Sequence, residues 1–326
     1  MKAVGFDGYG TPDVLHVVEV DPPKPGNDEV LVAVEAAGVG HADVMQRRGR
    51  YAPPPGASPI LGLEVAGTVA AIGNRVTAWR AGDRVCALCS GGGYAELVAV
   101  PQGQVLPIPQ GWNAVEAATL PENAFTVYDN VFTRARLKAD QTILVHGGSS
   151  GIGSTAIMFA RAFGAHAIAT AGSAEKRAAC LRFGATAAID YHADDFVAEV
   201  AHLTHGAGVD VVLDIVGGDY VARDLACLGL DGRIAILAMP RGRQATLDLA
   251  VMLEKRATVI ASSLRPRTPE QKAAIARELL ARVWPLLPAR DPIRPVVDSV
   301  YPFERAAEAH ARMEASAHIG KIVLVP

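Results

Sequence analysis

With 326 residues, 50% hydrophobic and 20% charged, the chain has the composition of a folded protein large enough for two domains, and extensive disorder is excluded. A formal net charge of −3 excludes nucleic acid and anionic membrane surfaces as main partners. No run approaches the roughly 18 apolar residues of a spanning helix, and Met1 to Gly10 lacks the apolar core of a signal peptide, so a cytoplasmic protein without membrane attachment is expected. Four cysteines make no disulfide framework, in keeping with a reducing compartment.

From Met1 to about Glu122, short alternating runs such as Glu29 to Val34 and Gly67 to Ile72 lie between turn signals at Pro22-Pro23, Pro53 to Gly56, Gly82-Asp83 and Ser90 to Gly93. Closely spaced strands of this kind predict a β-rich, barrel-like domain. Beyond Glu122 the pattern changes. Strand-like runs at Ile143 to Val145, Ala167 to Thr170, Val209 to Asp214, Arg233 to Leu237 and Thr258 to Ala261 alternate with helical stretches such as Glu175 to Phe183 and Asp194 to Leu203, which predicts a parallel sheet covered by helices. A last helical segment runs from about Glu270 to Trp284. The tail then carries two strand-like runs, Pro295 to Val297 and Gly320 to Val325, expected to return to the first domain. The expected division is residues 1–122 with 292–326, and residues 123–291.

The central stretch is Gln141 to Gly164. Thr142 to Val145 reads as a buried strand, His146 to Gly153 as a glycine-rich turn, and the helical spacing of Ile157, Phe159, Ala160 and Phe163 as a helix that Gly164 stops. Such a turn aims backbone N–H groups and the positive end of a helix dipole at one point, which suits a pyrophosphate. Gly148 and Gly153 hold the first and last fingerprint positions while Ser150 holds the middle one; a tight βα turn without a ligand would read similarly. About 20 residues on, where an acid would hold the ribose of NAD, the chain reads Thr170 to Lys176 with no acid at the strand end. Gly172 leaves room, Ser173 offers a hydroxyl and Lys176 a charge, which suits a 2′-phosphate, although Ser173 would serve equally as an ordinary helix cap.

Gln46 to Ala66, Ser90 to Glu96, Leu120 to Phe132, the glycine turn, Thr170 to Ser173, Ser262 to Arg267 and His318 to Leu324 together resemble the zinc-independent quinone oxidoreductases, the zeta-crystallin branch of the medium-chain dehydrogenase/reductase superfamily. The resemblance covers nearly the whole length. It implies an α/β protein in which a GroES-like, β-rich substrate domain is joined to a Rossmann domain with a doubly wound parallel sheet, NADPH in the cleft between them, and a homodimer. Carried onto this chain, it implies that Ser149, Ser150, Gly151, Ile152 and Gly153 form the pyrophosphate turn and that Gly172, Ser173, Lys176 and Tyr191 form the 2′-phosphate pocket. It further places Ala238 and Met239 beside the nicotinamide, Leu264 and Arg265 in a loop that closes over it, Thr126 near its ring, and Tyr51 in the substrate cleft.

The chain departs from that family in two places. Gly40 replaces a common asparagine and leaves His41 next to it, and Pro240 to Arg243 replaces a double glycine after the nicotinamide strand. Where the superfamily's zinc enzymes carry a cysteine and a His-Glu pair, this chain has Gly40 and Leu63-Glu64. Cys86-x-x-Cys89 is half of a zinc spacing, with Cys180 and Cys227 far along the chain, so no metal is expected. The expected activity is metal-free reduction of small quinones by NADPH. Reduction of activated C=C bonds in enones or enoyl thioesters, or low-turnover NADPH binding, are the alternatives.

Overall fold

A computed structural model describes all residues 1–326, and the chain divides into two compact units. One comprises Met1–Phe125, Leu264–Arg290 and Pro295–Pro326; the other comprises Thr126–Ser263 and Asp291–Arg294. No helix is long and apolar enough to cross a membrane.

The chain opens with the antiparallel pair β1 (Lys2–Phe6) and β2 (Leu15–Glu19). There follow β3 (Glu29–Val39), α1 (His41–Arg47), β4 (Glu64–Ile72), β5 (Arg84–Leu88), β6 (Leu97–Pro101), β7 (Val105–Pro107), α2 (Ala114–Ala117) and α3 (Pro121–Val127). The long strand β3 is the hub. Its alternation buries Val30, Val32 and Val34 in the core, and it pairs with both β4 and β6.

The second unit begins its sheet with β8 (Thr142–Val145), followed by α4 (Gly151–Ala162), β9 (His166–Ala171), α5 (Ala174–Phe183), β10 (Ala187–Asp190), α6 (Phe196–Leu203), β11 (Val209–Asp214), α7 (Tyr220–Cys227), β12 (Leu228–Ile236), α8 (Leu249–Lys255) and β13 (Thr258–Ala261). All six strands are parallel, in the order β10-β9-β8-β11-β12-β13. The order reverses between β8 and β11, and in such sheets ligands bind outside the carboxyl ends of the strands at that switch point. A turn of π-helix, Tyr128–Arg134, precedes the sheet.

Then come α9 (Pro269–Arg282), β14 (Val297–Pro302), α10 (Ala306–Glu314) and β15 (Lys321–Val325). β15 pairs antiparallel with β3, Ile322 facing Val39, and β14 lies parallel to β15, beginning two residues later than the sequence suggested. Leu264–Arg290 packs with the first unit, whereas alternation alone grouped it with residues 123–291. The reason is a close approach: a Cβ on Gly103 would lie 2.6 Å from that of Ala273, so only glycine lets α9 settle there. Trp284 Nε1 then donates to Pro107 O at 2.8 Å, and Trp112 Nε1 to Leu287 O at 3.3 Å.

A polar chain crosses the core of the first unit. His310 is fully buried between Tyr94 Oη, 3.3 Å from Nε2, and the Arg47 guanidinium, 3.5 Å from Nδ1. Because an arginine only donates, the neutral ring accepts at Nδ1 and donates from Nε2. Burial, helped by Arg47, drives the His310 pKa from 6.5 to about 3. In acid the unfolded chain therefore binds a proton that the folded chain refuses, and stability falls as the pH drops below about 6.5. By about pH 5 the loss is about 2 kcal/mol. Urea unfolding at about pH 7 and pH 5 should show this fall in the parent and a correspondingly smaller one in His310→Gln; equal falls would contradict it.

Candidate active site

In the second unit, β8 delivers the chain into the glycine turn at the carboxyl edge of the sheet. Gly147 has φ +62°, a conformation that favours glycine, and Gly148 N–H donates to Thr170 O at 3.0 Å, tying the turn to β9. A Cβ on Gly153 would lie 2.3 Å from the Gly147 carbonyl oxygen and 2.6 Å from Gly148 Cα. Glycine is thus what allows α4 to start against the turn. Ser150 is the N-cap of α4, its Oγ accepting from Gly153 N–H at 3.0 Å. Gly151 and Ile152 form the first helical positions, whose N–H groups have no acceptor within the helix and face outward with the dipole. Ser149 is buried behind them. The serine at the middle fingerprint position therefore serves as the helix cap.

β9 ends at Ala171 with no acid beside it. Ser173 caps α5, accepting Lys176 N–H at 3.2 Å, so the cap reading holds, and the hydroxyl keeps its own proton to donate. Lys176 is half-buried in the first turn of α5. Tyr191 reaches over from the end of β10: a Cβ on Gly172 would meet Tyr191 Oη at 2.5 Å. The structure thus brings Gly172, Ser173, Lys176 and Tyr191 together at one strand end. Asp190, at the end of β10, is paired with Arg177.

Ala238 and Met239 follow β12, and a Cβ on Gly217 would lie 2.7 Å from Met239 Cα. That turn is held by Asp214, which accepts from Val216 N–H at 2.6 Å and Gly217 N–H at 2.9 Å. Pro240 to Arg243 folds back, Arg241 N–H donating to Val216 O at 3.0 Å. Thr126 is half-buried, and its carbonyl accepts from Asn130 Nδ2 at 2.9 Å; Asn130 Oδ1 accepts from Ser262 Oγ at 2.6 Å.

In the first unit, Tyr51 and Arg265 lie together. The guanidinium is 5.1 Å from the Tyr51 ring centroid and 95% buried, donating to Ser90 O at 2.9 and 3.1 Å, Gln46 Oε1 at 2.7 Å and Tyr51 O at 3.3 Å. Arg265 thereby fixes the segment that carries Tyr51, and Lys272 Nζ supports it by donating to Arg265 O at 3.1 Å and Ser90 Oγ at 3.0 Å. Leu264 beside it is half-buried.

Gly40 caps α1. Its N–H donates to Asp43 Oδ2 at 2.8 Å and Gly62 N–H donates to Oδ1 at 2.9 Å; burial pushes the Asp43 pKa up to about 6. A Cβ on Gly40 would lie 2.6 Å from Glu122 Oε2, so the missing side chain makes room for that carboxylate. Burial and Arg48 lower the His41 pKa, which favours a neutral ring. Sequence reasoning missed the charges behind this loop. Lys321 Nζ lies 2.5 Å from Glu64 Oε1 and 3.0 Å from Glu122 Oε2, with Lys321 and Glu64 nearly inaccessible. The two carboxylates hold the lysine charged against the cost of its burial. A lysine inside the apolar run Gly320 to Val325 was the available signal. His146 was missed as well: fully buried, it joins Thr170 Oγ1 at 3.0 Å to Asp224 Oδ1 at 2.8 Å behind the glycine turn.

No group of three or more His, Cys, Asp or Glu side chains is gathered as a metal ion requires, and all four cysteines are buried. Burial raises the thiols of Cys86 and Cys89 far above the usual range.

The sequence matches the zinc-binding dehydrogenase family over residues 151–281 and the alcohol dehydrogenase GroES-like domain over residues 26–110. It is 30% identical to the quinone oxidoreductase of Rattus norvegicus, over 100% of this chain and 98% of that one, and 32% identical to that of Pseudomonas aeruginosa, over 100% and 99%. Among solved structures, the Escherichia coli quinone oxidoreductase complexed with NADPH superposes with a TM-score of 0.86 at 29% identity, covering 100% of both chains. An NAD-dependent alcohol dehydrogenase gives 0.86 at 30%, also covering both chains fully. The CurK enoyl reductase gives 0.87 at 25%, covering 99% of this chain and 98% of that one.

Proposed function

The chain belongs to the medium-chain dehydrogenase/reductase superfamily, and from that premise we propose that it reduces small quinones with NADPH. It is an oxidoreductase whose cofactor is NADPH. When bound, NADPH supplies a hydride from C4 of its nicotinamide. The backbone of Ser149 to Gly153 holds the diphosphate, and Gly172, Ser173, Lys176 and Tyr191 hold the 2′-phosphate. Ala238, Met239 and Thr126 would flank the nicotinamide. Quinone reduction needs one proton besides that hydride, and water can supply it, so this chain's residues need only position the acceptor.

The observation that carries the substrate reading is the Tyr51 ring braced by Arg265, a fixed aromatic face for a flat acceptor. Tyr51→Phe keeps the ring and Tyr51→Ala removes it. The proposal expects Phe to retain most of kcat/KM for a quinone and Ala to lose about tenfold, the order of one aromatic contact. Loss of activity in Phe equal to that in Ala would mean that the hydroxyl polarises a carbonyl. That result would favour the second reading, reduction of an activated C=C bond, which the whole-chain similarity to an enoyl reductase supports.

The protein works in the cytoplasm as a homodimer in this account. β13 edges the six-stranded sheet, and Leu249 and Leu253 on the adjoining α8 are 69% and 79% exposed, a combination that a second copy would cover. Sedimentation at micromolar concentration should give a dimer; a monomer there would remove this part of the proposal.

A further inference from the structure

The strand end that carries Gly172 holds one group more than the phosphate pocket uses. A Cβ on Gly172 would lie 2.9 Å from His192 Nε2, next to Tyr191 Oη at 2.5 Å, so the imidazole edge and the phenol converge on the same empty space. The Tyr191 and His192 rings pack with centroids 4.4 Å apart. The His192 backbone is fixed as well, its N–H donating to Asp190 Oδ1 at 3.0 Å. Asp190 is itself engaged by Arg177, which leaves the Nε2 edge turned toward Gly172.

We infer that His192 is a specificity-determining residue for the cofactor, touching the 2′-phosphate through Nε2 beside Ser173, Lys176 and Tyr191. This rests on the proposed placement of the phosphate over Gly172. A nucleotide without that phosphate offers Nε2 nothing to bind. A phosphate monoester presents acceptor oxygens to which an imidazole N–H donates. That contact favours the phosphorylated nucleotide over the unphosphorylated one.

Calorimetry of 2′,5′-ADP and 5′-AMP binding to the full chain tests this without turnover. The parent should bind 2′,5′-ADP more tightly than 5′-AMP. His192→Ala should lower the ratio of the two affinities about five- to tenfold, and His192→Gln, which keeps a neutral donor, should lower it less. His192 is surface-exposed, so both variants should fold. A parent-like ratio in His192→Ala overturns the inference. Lys176→Ala separates the causes: if it lowers the ratio while His192→Ala does not, His192 alone is wrongly assigned, and if neither does, the phosphate does not lie over Gly172.

Discussion

Lys321→Met is expected to destabilise the protein by about 3 to 5 kcal/mol near neutral pH, the cost of leaving buried carboxylates without their counter-charge. Lys321 is the cation set between Glu64 and Glu122, 2.5 and 3.0 Å away, and Glu64 is wholly inaccessible. Burial already works to raise the Glu64 pKa, and Lys321 opposes it. Without the lysine, Glu64 must take a proton to stay buried, so the folded variant binds more protons than the unfolded chain and its stability rises as the pH falls. Urea unfolding at about pH 7.5 and pH 5.5 should show the deficit shrinking in acid. Adding Glu64→Gln should recover part of it at the higher pH, because an amide oxygen still accepts the Glu122 N–H that now lies 2.9 Å away. A deficit under about 1 kcal/mol, unaffected by pH, would show that the cluster is not a coupled charge unit.

Gly153→Ala should weaken NADPH binding by tenfold or more. The added Cβ would fall 2.3 Å from a backbone oxygen and 2.6 Å from Gly148 Cα, neither of which can rotate aside, so α4 and the turn must separate. Overpacking of this kind costs about 1 to 3 kcal/mol, and it displaces the N–H groups aimed at the diphosphate. Ser150→Ala makes the comparison: it deletes only the cap to Gly153 N–H and should cost about 1 kcal/mol of stability with a smaller loss of affinity. Fluorescence titration of NADPH against both variants checks the order. Parent-like affinity in Gly153→Ala would mean that the diphosphate does not sit on this turn.

The parts of the fold legible in the sequence were those written locally. Thr142 to Val145, Gly147 to Gly153 and the helical spacing after it are one contiguous strand, turn and helix, and the structure places them as β8, the glycine turn and α4. The missing acid after β9 was readable for the same reason, since the strand end and the α5 cap are adjacent in the chain. What was not legible depends on distant pairs. The packing of α9 with the first unit depends on Ala273 meeting Gly103. Lys321 acquires meaning only beside Glu64 and Glu122, and Gly40, which replaces the family's common asparagine, vacates the space that Glu122 fills. His192 likewise sits beside Gly172 only because β10 lies parallel to β9.

The central claim is that this chain passes reducing equivalents from NADPH to quinones, and steady-state NADPH oxidation across ortho-quinones, para-quinones and alkenals, repeated with NADH, tests it most directly. The account predicts kcat/KM for at least one quinone class at least about tenfold above any alkenal, and at least about tenfold lower values with NADH. Quinones that leave NADPH oxidation at its background rate while an alkenal accelerates it would contradict the account.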